Sequence, residues 1–365
     1  MYTKAFIPYK GYYSTPFCRW QGSMANENAI SFSAETSKKW FAEKKFEVNN
    51  LDYLIFGNTI GQHHQFYSSP WAAALLEAKA LPAIAISQAC TTGATCINQA
   101  AMGIENDLYQ TPYVLTADRT SNGPHTIWPN PKGPGGEVIS ENWNMDNFNS
   151  DPNTGKKMVE TAENVARENG FTKKECDELV LRRYEQYLMA LENDREFQKR
   201  YMLPAEVKIS RKKTILLEED EGIMASTKEG LAALKPLLPG GVLSFGTQTH
   251  PADGNAGVLV TTAEKAMELS VDNKITIQVV SYGYSREQRG YMPAAPVPAT
   301  QMALKNAGLS IKDINVLKTH NPFIVNDLFF SKKMGVDAFS FNNYGSSLIF
   351  GHPQGPTATR LIIEG

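Results

Sequence analysis

The stretch AISQACTTGATCINQAAMGI, residues 85–104, runs from an apolar segment through Cys90 and a Thr-Thr-Gly corner into an amphipathic pattern. Its first residues close LPAIAIS (81–87), a short apolar run of the length and composition of a buried strand. From Thr91 onward, TTGATCINQAAMGIEN repeats its apolar residues with helical periodicity. A strand, a sharp corner and a helix in that order make one half of a βαβ unit, with Cys90 at the corner.

The same grammar extends in both directions. LDYLIFGN (51–58), PYVLTA (112–117), GVLVTT (257–262), ITIQVVSYG (275–283) and INVLKTH (314–320) read as further buried strands. SAETSKKWFAEKKF (33–46) and ATQMALKNAGL (299–309) read as helices between them. This alternation predicts an α/β fold with helices covering a mostly parallel sheet. The order also recurs. Helix 33–46 and strand 51–58 lead to the corner at Cys90; helix 299–309 and strand 314–320 lead through FSFNNYGSSLIFGHP to a corner at His352. Two copies of one motif, each ending in a chemically capable side chain, predict two pseudo-symmetric halves sharing a site between them.

Three units follow: residues 1–117 with 236–262 as the first half, 118–235 as an insertion, and 263–365 as the second half. Residues 151–235 hold 16 basic and 17 acidic residues of the chain's 74 charges, which marks solvated amphipathic helices laid over the sheet. A Gly-, Pro- and Asn-rich loop precedes them. In the first copy the helix after Cys90 leads into the strand PYVLTA; in the second, the helix of QGPTATRLIIEG reaches Gly365 with no strand after it. By internal symmetry, either the chain continues in its parent or this sheet is one strand short.

With 36 basic against 38 acidic residues, the chain lacks the charge excess of a nucleic-acid binder. It has no run of about twenty apolar residues. Cys18, Cys90, Cys96 and Cys176 are scattered, without zinc-finger pairing, which fits free thiols in a reducing cytoplasm. No metal or redox cofactor is expected.

A thiol at a helix N-terminus meets unpaired N–H groups and the positive dipole end, so Cys90 is expected to be a nucleophile with thiolate character. Cys96 is expected to pack. His352, in GHPQG, is placed to take the thiol proton, and His320, in KTHNPF, ends a strand pattern facing the crevice of an α/β sheet. His63 and His64 in GQHHQ, His125 and His250 have no evident chemical task.

With these residues in place, the sequence resembles the thiolase family over nearly its whole length. ACTTG is similar to that family's Cys-x-x-Gly nucleophile turn, and KMVETAENVARENGFTKKECDE to its TAENVA segment. STKEGLAALKPLLPGGVLSFGTQTHPADGNAGVLV, APVPATQMALKNAGLSIKDINVL and GHPQG follow in the family's order. The resemblance implies a five-layered αβαβα fold and acyl transfer on CoA thioesters, either cleavage of a 3-oxoacyl-CoA or the reverse Claisen condensation. Cys90 would carry the acyl group and His352 would activate it. His320 would bind a water or assist the thioester oxygen, as in sterol-carrier-type members with a His in this motif. Asn321 and Phe323 would complete the HNPF motif, and Thr249 would stand near the pantetheine arm. CoA is then a substrate rather than a cofactor. A homodimer or tetramer is implied, with a small zinc- and OB-fold partner subunit in relatives of the HNPF kind.

Two departures stand out. The family's second cysteine, in a Cys-x-Gly-Gly strand, lies beyond what this sequence contains, and Met224 stands where several relatives carry an adenine-stacking Arg. A decarboxylating 3-oxoacyl synthase and a non-catalytic acyl-CoA-binding subunit are the alternatives.

Overall fold

The computed structural model describes residues 1–365. Its centre is a mixed sheet built from β1 (Tyr12–Ser14), β2 (Tyr53–Gly57), β3 (Ala83–Ile86), β4 (Pro112–Arg119) and β5 (Ala252–Leu259), in the order β1-β5-β4-β2-β3. The short pair Cys18–Arg19 adds a sixth strand against β5. β2, β3 and β4 are parallel, with Ile55 opposite Ile84 and Val114, whereas β5 runs antiparallel to β4 and β1. The central strands are apolar on both faces because helices cover both sides, as a parallel core requires.

On one face, helix α1 (Ala29–Glu43) brings Ile30, Ala34, Trp40 and Phe41 against Leu54, Phe56, Tyr113 and Leu115. Asn28 caps it, its side-chain oxygen accepting from the backbone N–H of Ile30 at 3.0 Å. On the other face, helix α2 (Thr92–Glu105) buries Cys96, Ile97, Ala100 and Ile104 on Ile55, Val114 and Val258. Cys96 is therefore a packing residue, as its place on the helix predicts.

The insertion is more than a solvated cover. Helix α3 (Met158–Asn169) and helix α4 (Lys173–Arg195) share one core cluster with helix α5 (Val325–Met334) of the second half. Arg183 on α4 is fully buried, and its Nε donates to Asp327 Oδ2 at 2.9 Å. The apolar stripes of α3 and α4 lie in a cluster that joins Phe17 and Ala252 of the first half to Val325, Phe330 and Phe350 of the second. Two antiparallel ribbons, His125–Pro129 with Val138–Asn142 and Ala205–Ser210 with Lys213–Leu217, complete this region.

The second half departs most from expectation. Of the run 275–283 only Ile277–Gln278 forms a strand, paired antiparallel with Phe6–Ile7. Residues 314–320 form none, although the Asn342 N–H donates to the Leu317 carbonyl at 3.0 Å. Extended backbone becomes a strand only where neighbours complete its ladder, and apolar periodicity does not report the neighbours. An apolar cleft of about 500 Å³ lies between Val258, Ile277, Val279 and Ile362.

Helix α6 (Gly355–Glu364) is the second half's counterpart of α2 and packs directly on it. Gly93 makes this possible. A Cβ there would collide with the Thr359 side chain, lying 2.7 Å from its backbone nitrogen and 2.8 Å from the Gly355 carbonyl oxygen. Arg360 then locks α6 to the rest: Nη1 and Nη2 donate to the Asp220 carboxylate at 2.6 and 2.8 Å, and the guanidinium lies 3.9 Å from the Phe350 ring centroid.

Gly93→Ala should therefore force α2 and α6 apart at a cost of about 1–3 kcal/mol. Urea unfolding would show it, and iodoacetamide labelling of Cys90 should change in parallel. An unaltered midpoint and labelling rate would mean that the helices separate freely.

Candidate active site

Cys90 occupies a single 3₁₀ turn, Ala89–Thr91, between β3 and α2. Ala89 has φ +47°, a left-handed backbone costly for a residue with a Cβ, and it turns the sulfur out of the strand direction. Threonines hold the corner. Thr92 Oγ1 donates to the Ala89 carbonyl at 2.7 Å and accepts from the Gln88 N–H at 2.8 Å.

The imidazole of His352 arrives from the opposite half. Its Nε2 lies 3.1 Å from Cys90 Sγ, and its Nδ1 is 2.6 Å from Thr357 Oγ1. With Nδ1–H donating to Thr357, Nε2 is bare and faces the thiol proton. The His320 ring lies beside it, centroids 4.2 Å apart and planes tilted by 42°. Its Nδ1 is 2.7 Å from Ser347 Oγ, while that hydroxyl donates to Asn321 Oδ1 at 3.2 Å. Nδ1 of His320 therefore carries the proton, and its buried Nε2 has no partner.

Burial sets the charge state. It pushes the Cys90 thiol up to about 11, partly offset by the residue's own backbone N–H and reinforced by the nearby Asp118. Burial holds His320 down to about 3, and burial together with His320 holds His352 well below the ordinary histidine range. The resting pair is thus a neutral thiol beside a neutral imidazole. Desolvation of the sulfur opposes the thiolate character that the helix terminus favours.

Four residues that the sequence argument missed shape the centre. Gln354 Oε1 lies 3.4 Å from Cys90 Sγ, a second acceptor beside His352 Nε2 for the one thiol proton, on a strained backbone with φ 65° and ψ −106°. Thr357 and Ser347 fix the two imidazoles. Asp118, at the end of β4, accepts from Thr59 and Ile60 N–H at 2.8 and 2.7 Å and from Gly355 N–H at 2.8 Å, tying both halves beneath the site. Its burial raises the carboxyl to about 7, opposed by those three N–H groups. An acid ending an otherwise apolar strand was the available signal for Asp118.

The remaining expected contacts fall differently. Asn321 is fully buried and spent on the framework: Nδ2 donates to Asp327 and Ser346 at 2.7 and 3.0 Å, and Oδ1 accepts from Leu348 N–H at 3.0 Å. Phe323 packs in the core with Ile324 and Phe350. The hydroxyl of Thr249 donates to the Ser347 carbonyl, so it supports the loop that holds His320. The structure thus places these three residues as supports rather than as walls. His250 leans on the carbonyls of Pro251 and Ile349, while His63 and His64 lie against each other, rings tilted, at the surface. The sulfur and the two imidazoles form a Cys-His-His cluster within 4.8 Å, fit for nucleophilic attack with the base already in contact.

The depressed His320 sets a pH dependence. In the unfolded chain its ring protonates near 6.5, whereas the folded ring refuses the proton until about 3. Stability is therefore lost as pH falls below about 6.5, by up to about 1.4 kcal/mol per unit from this residue. His320→Asn should flatten the urea-derived stability slope between pH 6.5 and 4. Parallel slopes for the two proteins would contradict the neutral buried ring.

Residues 11–264 match the family model "Thiolase, N-terminal domain" and residues 273–364 match "Thiolase, C-terminal domain". Acetyl-CoA acetyltransferase of Escherichia coli (strain K12) is 28% identical over 351 residues, 94% of this chain and 87% of that protein. Human mitochondrial 3-ketoacyl-CoA thiolase is 24% identical over 362 residues, covering 95% and 87%. Among solved structures, acetyl-CoA acetyltransferase of Bacillus anthracis superposes with a TM-score of 0.89 at 23% identity, over 100% of this chain and 91% of its own. Human mitochondrial 3-ketoacyl-CoA thiolase in complex with CoA gives 0.87 at 24% identity, over 99% and 91%. Two family domains in sequence, spanning almost every residue around the Cys90–His352 contact, leave one conclusion: the chain belongs to the thiolase family.

Proposed function

We propose that this chain is an acyl-CoA C-acyltransferase that works through an acyl-Cys90 thioester. The 3.1 Å contact between Cys90 Sγ and His352 Nε2, each from a different half, carries this reading. The thiol passes its proton to Nε2 as sulfur attacks the 3-oxo carbon of a 3-oxoacyl-CoA. The bond between C2 and C3 breaks, the acetyl-CoA enolate leaves, and it takes the proton back from His352. CoA thiol then gives its proton to the same nitrogen, attacks the acyl-cysteine and releases Cys90, which recovers its proton. Run backwards, the C2–C3 cleavage step becomes a Claisen condensation of the acetyl-CoA enolate onto acyl-Cys90. His320 Nε2, an unpartnered acceptor, holds a water whose own O–H points at the thioester oxygen, where developing enolate charge needs a donor. The relatives named for acetyl-CoA acetyl transfer and 3-ketoacyl-CoA thiolysis support the substrate class.

We further infer a homodimer or tetramer. The outer edge of β3 is open, with Ile84 exposed, and the ribbon 125–142 carries exposed Ile127, Trp128, Val138 and Ile139. Such apolar surface on an edge and a ribbon supports burial against other chains, and a zinc/OB-fold subunit is a further partner for the ribbon. Four unpaired cysteines fit a cytoplasmic setting. No helix is long and apolar enough to cross a membrane.

Incubation with acetoacetyl-CoA should leave an acetyl adduct on Cys90 in the intact-mass spectrum, absent in Cys90→Ala. His352→Asn should slow acyl transfer by about 10²–10⁴-fold, the contribution of a positioned base. An adduct persisting in Cys90→Ala would end this reading, and turnover of malonyl thioesters with loss of CO₂ would favour a decarboxylating synthase instead.

A further inference from the structure

We propose that the Cys90–His320–His352 cluster is also a reversible Zn²⁺ site, at which the ion occupies the nucleophile and closes the enzyme. The sulfur and a nitrogen of each ring lie within 4.8 Å of one another. Tetrahedral Zn²⁺ with its usual bond lengths sets S···N at about 3.6 Å and N···N at about 3.3 Å. Side-chain adjustments of about an ångström therefore bring the three donors onto one ion.

The arrangement is a ligand set rather than a chance proximity because each imidazole is already committed at its other nitrogen. Ser347 Oγ takes His320 Nδ1 and Thr357 Oγ1 takes His352 Nδ1, the outer hydrogen bonds that orient metal-binding histidines. That leaves a bare Nε2 on each ring, and the one on His320 is buried without any partner. Gln354 Oε1, 3.4 Å from the sulfur, stands where a fourth donor would complete the shell. One thiolate, two imidazoles and no carboxylate select Zn²⁺ over Mg²⁺ or Ca²⁺. On binding, a Zn–S bond replaces S–H and one proton leaves to solvent; no electron is transferred. The inference goes beyond the proposed reaction, which needs no metal, and does not depend on it.

The test uses the full-length chain. Titration with Zn²⁺ against a chromophoric chelator should show one equivalent bound, weakened about tenfold or more in Cys90→Ser and in His320→Ala. Ser347→Ala should weaken binding by about 10–100-fold without removing a ligand. Co²⁺ in place of Zn²⁺ should give a sulfur-to-metal charge-transfer band in wild type and none in Cys90→Ser, with circular dichroism confirming that each variant folds. One equivalent of Zn²⁺ should slow alkylation of Cys90, and EDTA should restore it. Because Cys18, Cys96 and Cys176 are fully buried, labelling reports Cys90. No stoichiometric binding, or equal binding by Cys90→Ser, would overturn the site. Acyl-adduct formation measured in EDTA separates this outcome from failure of the acyltransferase reading.

Discussion

The close approach of two helices at Gly93 is the constraint on which the rest of the molecule depends. Cys90 is carried by the corner before α2 and His352 by the corner before α6, so sulfur and imidazole meet only if those helices touch. A missing Cβ sets how near they come, because α6 backbone atoms occupy the space a side chain would need. Asp118 reinforces the contact from below by accepting N–H groups from both halves. Arg360 and Asp220 secure it from behind. The first is a buried carboxyl met by three backbone N–H groups and the second a buried ion pair; each is costly to desolvate and held by its hydrogen bonds.

Much of this was legible in the sequence, and for a physical reason. Strands buried on two faces read as apolar runs, so β2 and β4 declare themselves, and β3 is as apolar although it lies part-exposed at the sheet edge; the helices between them and the corners around Cys90 and His352 are equally legible. What the sequence hid depends on neighbours. Whether 314–320 pairs as a strand is decided by what lies beside it. Whether Asn321 faces substrate or framework is decided by Asp327 and Ser346. The stripes on α3 and α4 announce a partner without saying which residues supply it.

The charge state depends on burial that the sequence does not report. A helix terminus argues for thiolate, yet the structure surrounds the sulfur with neutral acceptors and a carboxylate, and keeps both imidazoles uncharged. A neutral nucleophile is also less open to oxidation and stray alkylation than a standing thiolate.

The pairing of residues 90 and 352 also has a consequence for biogenesis. On the ribosome the Cys90 sulfur emerges some 262 positions before the imidazole it meets, and the seat at Gly93 waits for the helix that follows His352. Contacts of such long sequence separation form late. The nascent first half can therefore build its sheet before the imidazole that faces Cys90 has been made, so the sulfur and its neighbour come together only after residue 352 has been translated.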